Sequence, residues 1–292
     1  MAYKRLISLL ILMVFISGRD LYAGGWPQSK GGYFIKLSEW WMVSDQHFNG
    51  NGEPEPNFVE YGYYATSFYG EYGLSSKLTC ILYFPFLNYT YNVEPSSLDR
   101  QSTWKTGDAD LGLKYALTMD DPLAISSTLI LGLPLGYNNN GPLITGDGEF
   151  NQILRVDAGQ GFLLFKSNAW FNIYTGYNHR TNGYADEWQY GGEFGLRISN
   201  DKVSLVARLD RVDALGNGAT APVNPQSLFS NYREYLSLSP EISYHIDNAW
   251  GITVGAGTAL LGKNIFASPS FTFGIFYKKL NLMTNKNESA QF

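Results

Sequence analysis

Short and long connections alternate along this chain, and few folds have a reason to sort them. Segments that read as strands cover approximately residues 32–44, 59–72, 77–90, 107–118, 123–135, 150–165, 168–179, 186–199, 202–211, 231–246, 249–260 and 267–280, about twelve in all. After the second, fourth, sixth, eighth and tenth come tight turns: GLSSK (73–77), TMDD (118–121), KSN (166–168), SNDK (199–202) and IDNA (246–249). The intervening connections are longer and polar: SDQHFNGNGEPEPNF (44–58), YNVEPSSLDRQSTWK (91–105), GYNNNGPLITGDGE (136–149), NHRTNGYADE (178–187) and VDALGNGATAPVNPQSLFS (212–230). Only GKNIF (262–266) is short among them. Barrels that cross an outer membrane have short periplasmic turns, longer external loops and an even strand count. A soluble β-sandwich has no physical reason to sort its connections this way.

The strands themselves alternate two chemistries. In TGDADLGLKYAL (106–117), Leu111, Leu113, Tyr115 and Leu117 share one parity, and Asp108, Asp110 and Lys114 share the other. Successive side chains of an extended chain point to opposite faces, so each parity is one face. The segment 186–199 sets Trp188, Tyr190, Phe194, Leu196 and Ile198 against Glu187, Gln189, Glu193 and Arg197. The segment 150–165 separates Leu154, Val156, Ala158, Phe162 and Leu164 from Arg155 and Asp157. In 231–246 the division is Tyr232, Leu236, Leu238, Ile242 and Tyr244 against Arg233, Tyr235, Glu241 and His245. A soluble barrel would turn its charges to water and pack apolar residues inside. A membrane barrel inverts this, with the apolar parity toward lipid and charges in the lumen. In the first three strands Tyr and Phe occupy both parities, so those strands do not declare their facing.

Export and composition decide between the two. The opening MAYKRLISLLILMVFISGRDLYAGGW carries Lys4 and Arg5, an apolar stretch from Leu6 to Ile16, and Ala23 before two glycines. That is the layout of a cleavable signal peptide over 1–23. Cys80 is the single cysteine, so neither a lipoprotein anchor nor an internal disulfide is expected. The chain holds 21 Tyr, 18 Phe, 7 Trp and 31 Gly, with only 16% charged residues where roughly a quarter is usual. A chain rich in aromatics and glycine, exported, with no apolar run long enough for a spanning helix, points to a transmembrane antiparallel β-barrel. Residues 24–292 are read as one such barrel. Its last strand lies at about 267–280, with Phe271, Phe273, Ile275 and Tyr277 on one face, and a polar tail occupies 281–292. Trp40, Trp41, Tyr61, Tyr63, Trp170, Trp188 and Trp250 fall near strand ends and suit aromatic girdles.

Several phrases together carry a family resemblance: SEWWMVSDQHF, TSFYGEYGLSSKLT, GDADLGLKYAL, LGLPLG and TGDGEFNQ. The chain resembles the outer-membrane proteins grouped as MetA-pathway-of-phenol-degradation-like, whose barrels are broadly similar to FadL-type channels. The resemblance implies a barrel that passes small molecules, hydrophobic or aromatic compounds among them. About eight residues separate Ala23 from the first strand, so a FadL-type N-terminal plug is not evident.

Motifs for other chemistries do not hold together. The spacing GTALLGK (257–263) fits a phosphate-binding loop, but Asn264 replaces the magnesium-binding hydroxyl and no helix pattern follows. Asp108, Asp110 and Gly112 lack the third ligand and closing Glu of a calcium loop. Asp147, Glu149 and Asp157 could hold a divalent ion at the outer rim, although acidic loop residues are ordinarily just solvated. His47, His179 and His245 have no zinc-site spacing. His179 is the candidate general base should the barrel be a lipid hydrolase, with no nucleophile motif to partner it. The formal charge of −5 becomes −7 once Lys4, Arg5, Arg19 and Asp20 (net +2) are removed with the leader, which argues against nucleic acid as a partner. The inward charges are Asp108, Asp110, Lys114, Arg155, Asp157, Glu193, Arg197, Arg208, Asp210, Arg233 and Glu241. Their mixed signs favour internal ion-pair ladders over a single-sign selectivity ring.

The expectation is an outer-membrane channel for passive uptake of small solutes, using no cofactor and no metal. Its expected partners are outer-membrane lipid, the solute, and the assembly machinery that would engage the last strand. The alternatives are a membrane-embedded lipid hydrolase and a structural or surface-recognition barrel.

Overall fold

Alternating side chains and β-branched and aromatic residues favour strands throughout, and every regular element of the described residues is a strand. The computed structural model describes residues 25–93, 100–119, 123–138, 143–219 and 228–279. The expected leader (1–23) and the expected tail (281–292) lie outside them. The strands are β1 (Tyr33–Phe48), β2 (Pro54–Gly73), β3 (Leu78–Val93), β4 (Arg100–Lys105), β5 (Ala109–Ala116), β6 (Ala124–Leu133) and β7 (Asn151–Leu164). They continue as β8 (Ser167–His179), β9 (Glu187–Ile198), β10 (Val203–Ala214), β11 (Glu234–His245), β12 (Trp250–Lys263), β13 (Ile265–Phe266) and β14 (Ser270–Lys279).

Each wall strand pairs antiparallel with its sequence neighbours, and β1 pairs with β14 from Tyr33↔Lys279 to Met42↔Ser270, which closes the sheet. β4 and β5 both pair with β3 and act as one wall strand, interrupted at 106–108 where the Gly107 N–H bonds to the Pro85 carbonyl at 2.7 Å. β13 adds two residues to the outer end of β1. The result is the expected closed barrel of twelve wall strands.

Short turns close one end. Phe165 (φ 50°) and Lys166 (φ 70°) form a two-residue left-handed turn between β7 and β8, the geometry that matches strand twist in a hairpin. Ser199, Asn200 and Asp201 are all left-handed between β9 and β10. At the other end two expected loops are mostly strand, 91–105 as the end of β3 with β4, and 44–58. β1 and β2 continue past the wall as a two-stranded hairpin, and only residues 49–53 turn, closed by Asn49 N–H to the Glu53 carbonyl at 2.9 Å. Pro54 and Pro56 made this stretch read as loop. They are tolerated because this part of β2 pairs only with β1, so its far side needs no donors.

Facing follows the alternation where the charges declare it. Leu113 is 45% exposed on the outside while its neighbour Lys114 is 7% exposed and inside. Leu111, Tyr115, Leu154, Val156, Trp188, Tyr190, Phe194, Ile242, Tyr244, Phe271, Phe273 and Ile275 are outward likewise. In β3 the facing changes midway. Thr66 pairs with Leu87 and Phe68 with Phe84, so Pro85 and Phe86 form a bulge opposite Ser67. The extra residue inverts parity, moving the inward set from Thr79, Ile81 and Tyr83 to Asn88 and Thr90. The girdle expectation is corrected in part. Trp41, Trp188 and Trp250 sit on the outer surface, but Trp40, Tyr63 and Trp170 face the interior.

The interior is polar. Thr79, Ser126, Thr128, Asp157, Asn172 and Thr253 are buried along the wall, and an apolar cluster packs Met42, Tyr63 and Phe266 beneath the long-loop end. The segment before β1 also lies inside. Trp26 rests where a Gly159 side chain would stand, 2.7 Å from its ideal Cβ, and the Gln28 N–H bonds to Thr79 Oγ1 at 2.8 Å. A short N-terminal insert therefore does occupy the lumen, despite the few residues available for it.

Candidate solute pathway

Three adjoining cavities run down the lumen. The outer one, about 290 Å³, is walled by Trp40, Tyr63, Tyr64, Tyr83 and Asn88, with Leu228 and Phe229 from a long loop. The middle one, about 350 Å³, shares Tyr83 with it and is lined by Asp110, Arg155, Asp157, Tyr174 and Asp210. The inner one, about 500 Å³, shares Tyr69, Glu71, Lys114, Glu193 and Arg208 with the middle and reaches Trp26, Phe34, Trp170 and Phe276.

The charges between these chambers are paired into ladders. Arg155 forks onto Asp157 at 2.5 to 3.1 Å and lies over the Tyr174 ring, 3.7 Å from its centre, while Tyr174 donates to Asp210 at 2.7 Å. One register lower, Arg208 bonds Glu193 at 2.6 Å and stands 3.6 Å from Glu241, which also takes Lys36 at 2.9 Å. Trp170 Nε1 donates to Glu193 at 2.7 Å. Lys114 is 4.0 Å from Glu71, which accepts from Gln28 at 2.7 Å and Tyr69 at 2.5 Å. Strand register builds this arrangement directly, since Arg208 is the antiparallel partner of Glu193. Groups so paired satisfy one another without water, yet leave a hydrophilic wall.

Of the expected lumen set, Asp110, Lys114, Arg155, Asp157, Glu193, Arg197, Arg208, Asp210 and Glu241 line the two lower cavities. Asp108 and Arg233 are placed elsewhere, in a cap of inward-folded loops. Residues 143–149 descend into the mouth. Asp108 accepts the N–H groups of Gly136 and Asp147, each at 2.8 Å, and Thr145 Oγ1 donates to the Thr106 carbonyl at 2.6 Å. Gly146 has no room for a side chain, because an added Cβ would lie 2.3 Å from Asp108. Arg180, wholly sequestered, bridges Asp147 and Glu187 at 3.0 Å each, and Arg233 reaches Glu187 at 2.9 Å.

The connection after β8 is fixed the same way. Asp186 accepts from Tyr177 at 2.6 Å, Asn217 at 2.8 Å and the Arg180 N–H at 2.9 Å, with His179 Nδ1 also at 2.9 Å. Burial alone would raise this carboxyl, but those donors outweigh it and hold it down at about 2. Asp108, in the break between β4 and β5, is pushed the other way, up to about 7, by burial and by the neighbouring Asp147.

The remaining rim carboxylates are engaged by protein donors. Glu149 accepts from Thr181 at 2.7 Å and Asn182 at 3.1 Å. No cluster among the described residues has the composition of a metal site. The phosphate-loop-like stretch is strand β12. His179 has Asp186 as its partner, and the serine–histidine contact present is Ser204 Oγ with His245 Nε2 at 3.1 Å, inside the lumen. Sequence reasoning missed Lys36 and Glu71, which lie on strands of undeclared parity. It also missed Arg180, whose partners come from separate loops.

A twelve-stranded barrel with an apolar exterior, a polar partitioned lumen and a loop cap has the fold of an outer-membrane β-barrel. No family model matches the chain, and no curated protein matches it. Among solved structures it is similar to the COG4313 outer membrane channel from Pseudomonas putida F1. The TM-score is 0.57 at 14% identity, over 89% of this chain and 99% of that one. It is also similar to the NanC porin, with a TM-score of 0.50 at 10% identity, over 84% of this chain and all of that one. Identities this low speak to the fold.

Proposed function

We propose that the chain is an outer-membrane channel through which small solutes pass passively. The observation that carries this reading is the run of three adjoining cavities, joined at shared residues and lined by paired charges and Tyr hydroxyls. A barrel built only as a structural wall would fill its interior with packed side chains. The likeness to a COG4313 channel and a porin agrees with this reading. The finer placement among phenol-degradation-like transporters rests on the sequence phrases and on the aromatic lining of the outer and inner chambers.

The test is conductance of the refolded protein in planar bilayers. Discrete channel openings, altered by Arg155→Ala or Glu193→Ala, are expected. A silent bilayer, together with lipid hydrolysis abolished by His179→Ala, would replace the channel with a hydrolase.

A further inference from the structure

The inner chamber holds more cations than its carboxylates neutralise. Lys36 and Arg208 share Glu241, Arg208 also takes Glu193, and Lys114 faces Glu71. Arg197 and Lys278 line the same chamber, and neither forms an ion pair with any carboxylate among the described residues. Asp201, at the turn nearby, is engaged by Asn168 at 2.9 and 3.2 Å. Two donors in this region are also idle. Arg197 Nε is buried with no hydrogen-bond partner, and so is the hydroxyl of Thr253, a residue only 3% exposed.

Register sets Arg197 and Thr253 on one inward row, with Lys278 four residues further along β14 from the end of that row. Arg197 opposes Ser204 on β10, Ser204 opposes Ser243 on β11, and Ser243 opposes Thr253 on β12. One inward row therefore carries a guanidinium and three hydroxyls. It ends at Gly274 on β14, where any side chain would strike Lys36 Cε, 2.7 Å from the ideal Cβ. The adjacent row brings His245, Gly251 and Phe276 into line, with the His245 and Phe276 rings edge to face at 5.3 Å. The Phe276 ring occupies the space a Gly251 side chain would need. Lys278 follows Phe276 on the same face of β14. Phe34, the strand partner of Lys278, stacks its ring on Phe276 at 5.7 Å, and the rings of Trp26 and Trp170 line the same chamber.

Unpaired cations half-buried in a lumen are costly unless an anion completes them, and a guanidinium presents a fork matched to a carboxylate. Aromatic walls favour a flat apolar body beside that charge. We infer that the inner chamber is a binding site for a small aromatic acid. Its carboxylate lies on Arg197 and Lys278, and its ring lies among Trp26, Phe34, Trp170 and Phe276. This names the solute class for the proposed channel and so rests on that reading. A neutral aromatic would leave both cations and the idle donors as they are, and a small aliphatic acid would leave the rings unfilled.

The test titrates detergent-purified protein with sodium benzoate, benzamide or sodium acetate by calorimetry, and adds the same three probes to single channels in KCl. Benzoate is expected to bind, and to interrupt the current, about tenfold more tightly than either other probe, because benzamide lacks the charge-assisted contact and acetate lacks the ring. Arg197→Gln and Lys278→Gln are each expected to weaken benzoate by about tenfold. Lys202→Gln, on an exposed turn, is expected to behave as wild type. Equal binding of benzamide, or unchanged benzoate affinity in a folded Arg197→Gln, Lys278→Gln double variant, would overturn the site. Calorimetric binding of benzoate with a silent bilayer would uphold the site and overturn the channel. Current without preference for benzoate would do the reverse.

Discussion

Arg180 Nη1 donates to Glu187 Oε1 at 3.0 Å, and neither side chain has any surface open to solvent. The same guanidinium reaches Asp147 through Nη2, so one side chain ties the 143–149 loop to the top of β9. Arg233, Asn178 and Gln189 supply the remaining donors to Glu187. Breaking one partner of such a buried pair leaves an uncompensated charge and costs about 3–5 kcal/mol locally. Arg180→Met is therefore expected to release the cap while the wall strands, bonded independently, persist. Single-channel conductance should rise and become noisier, and heat-modifiable gel mobility should stay that of a folded barrel. Unchanged conductance would mean that the cap does not limit flow.

Asp108 gives the cap a pH dependence whose sign can be worked out. Docked, its carboxyl is raised to about 7 by burial and by Asp147. Released into water it returns to the ordinary value of about 3.9. Between those values the docked loop holds a proton that the released loop has lost, so docking weakens as pH rises through this window. Conductance is expected to increase from pH 5 to pH 8, with most of the change complete near 7. Asp108→Asn, which keeps a docking acceptor and cannot titrate, should flatten the profile. A rise in conductance toward low pH would contradict the assignment.

How much of this was legible depended on whether a strand declared its faces. β9 did, because Glu187, Glu193 and Arg197 alternate with Trp188, Tyr190 and Phe194, and the structure places them on opposite sides. β3 did not, because the bulge at Pro85 and Phe86 reverses parity halfway and aromatics serve on both faces. Lys36 and Glu71 were hidden for the same reason, on strands where no clean alternation singled them out. Trp170 read as a girdle residue because nothing local reveals that Glu193, on the next strand, accepts its indole N–H. The contacts of Arg180 lay further out of reach. They join loops whose inward folding is a property of the closed barrel, not of any one segment.

Leu113 and Lys114 are adjacent in sequence and face opposite media, so exchanging their chemistry tests the membrane assignment itself. Leu113 is largely exposed on the outer wall, and Lys114 is buried within 4.0 Å of Glu71. An arginine facing lipid near mid-barrel costs about 2–4 kcal/mol. Leu113→Arg is expected to lower the urea midpoint for folding into vesicles and to reduce assembly. Lys114→Gln should assemble normally and alter conductance, since it frees Glu71 from its cation. The opposite pattern would restore a soluble barrel with water outside and a packed interior.

Trp26 sets the last prediction, because its ring fills the space a Gly159 side chain would need. An added Cβ at Gly159 would lie 2.7 Å from the indole, and one at Gly25 would lie 2.5 Å from the Ala124 carbonyl oxygen. The insert is thus held by close approach on one side and by the Gln28 contacts to Thr79 and Glu71 on the other. Gly159→Val should displace the indole, with Asn172 Oδ1, 3.1 Å from the ideal Cβ, as the next group it presses on. Trp26→Ala should vacate the same space directly. Both are expected to raise single-channel conductance, and by similar amounts, since each removes one obstruction from one chamber. A rise in Trp26→Ala alone would mean that the ring can shift and still block. No rise in either would place the narrowest point of the path above the inner chamber, at the ladders of Arg155 and Arg208.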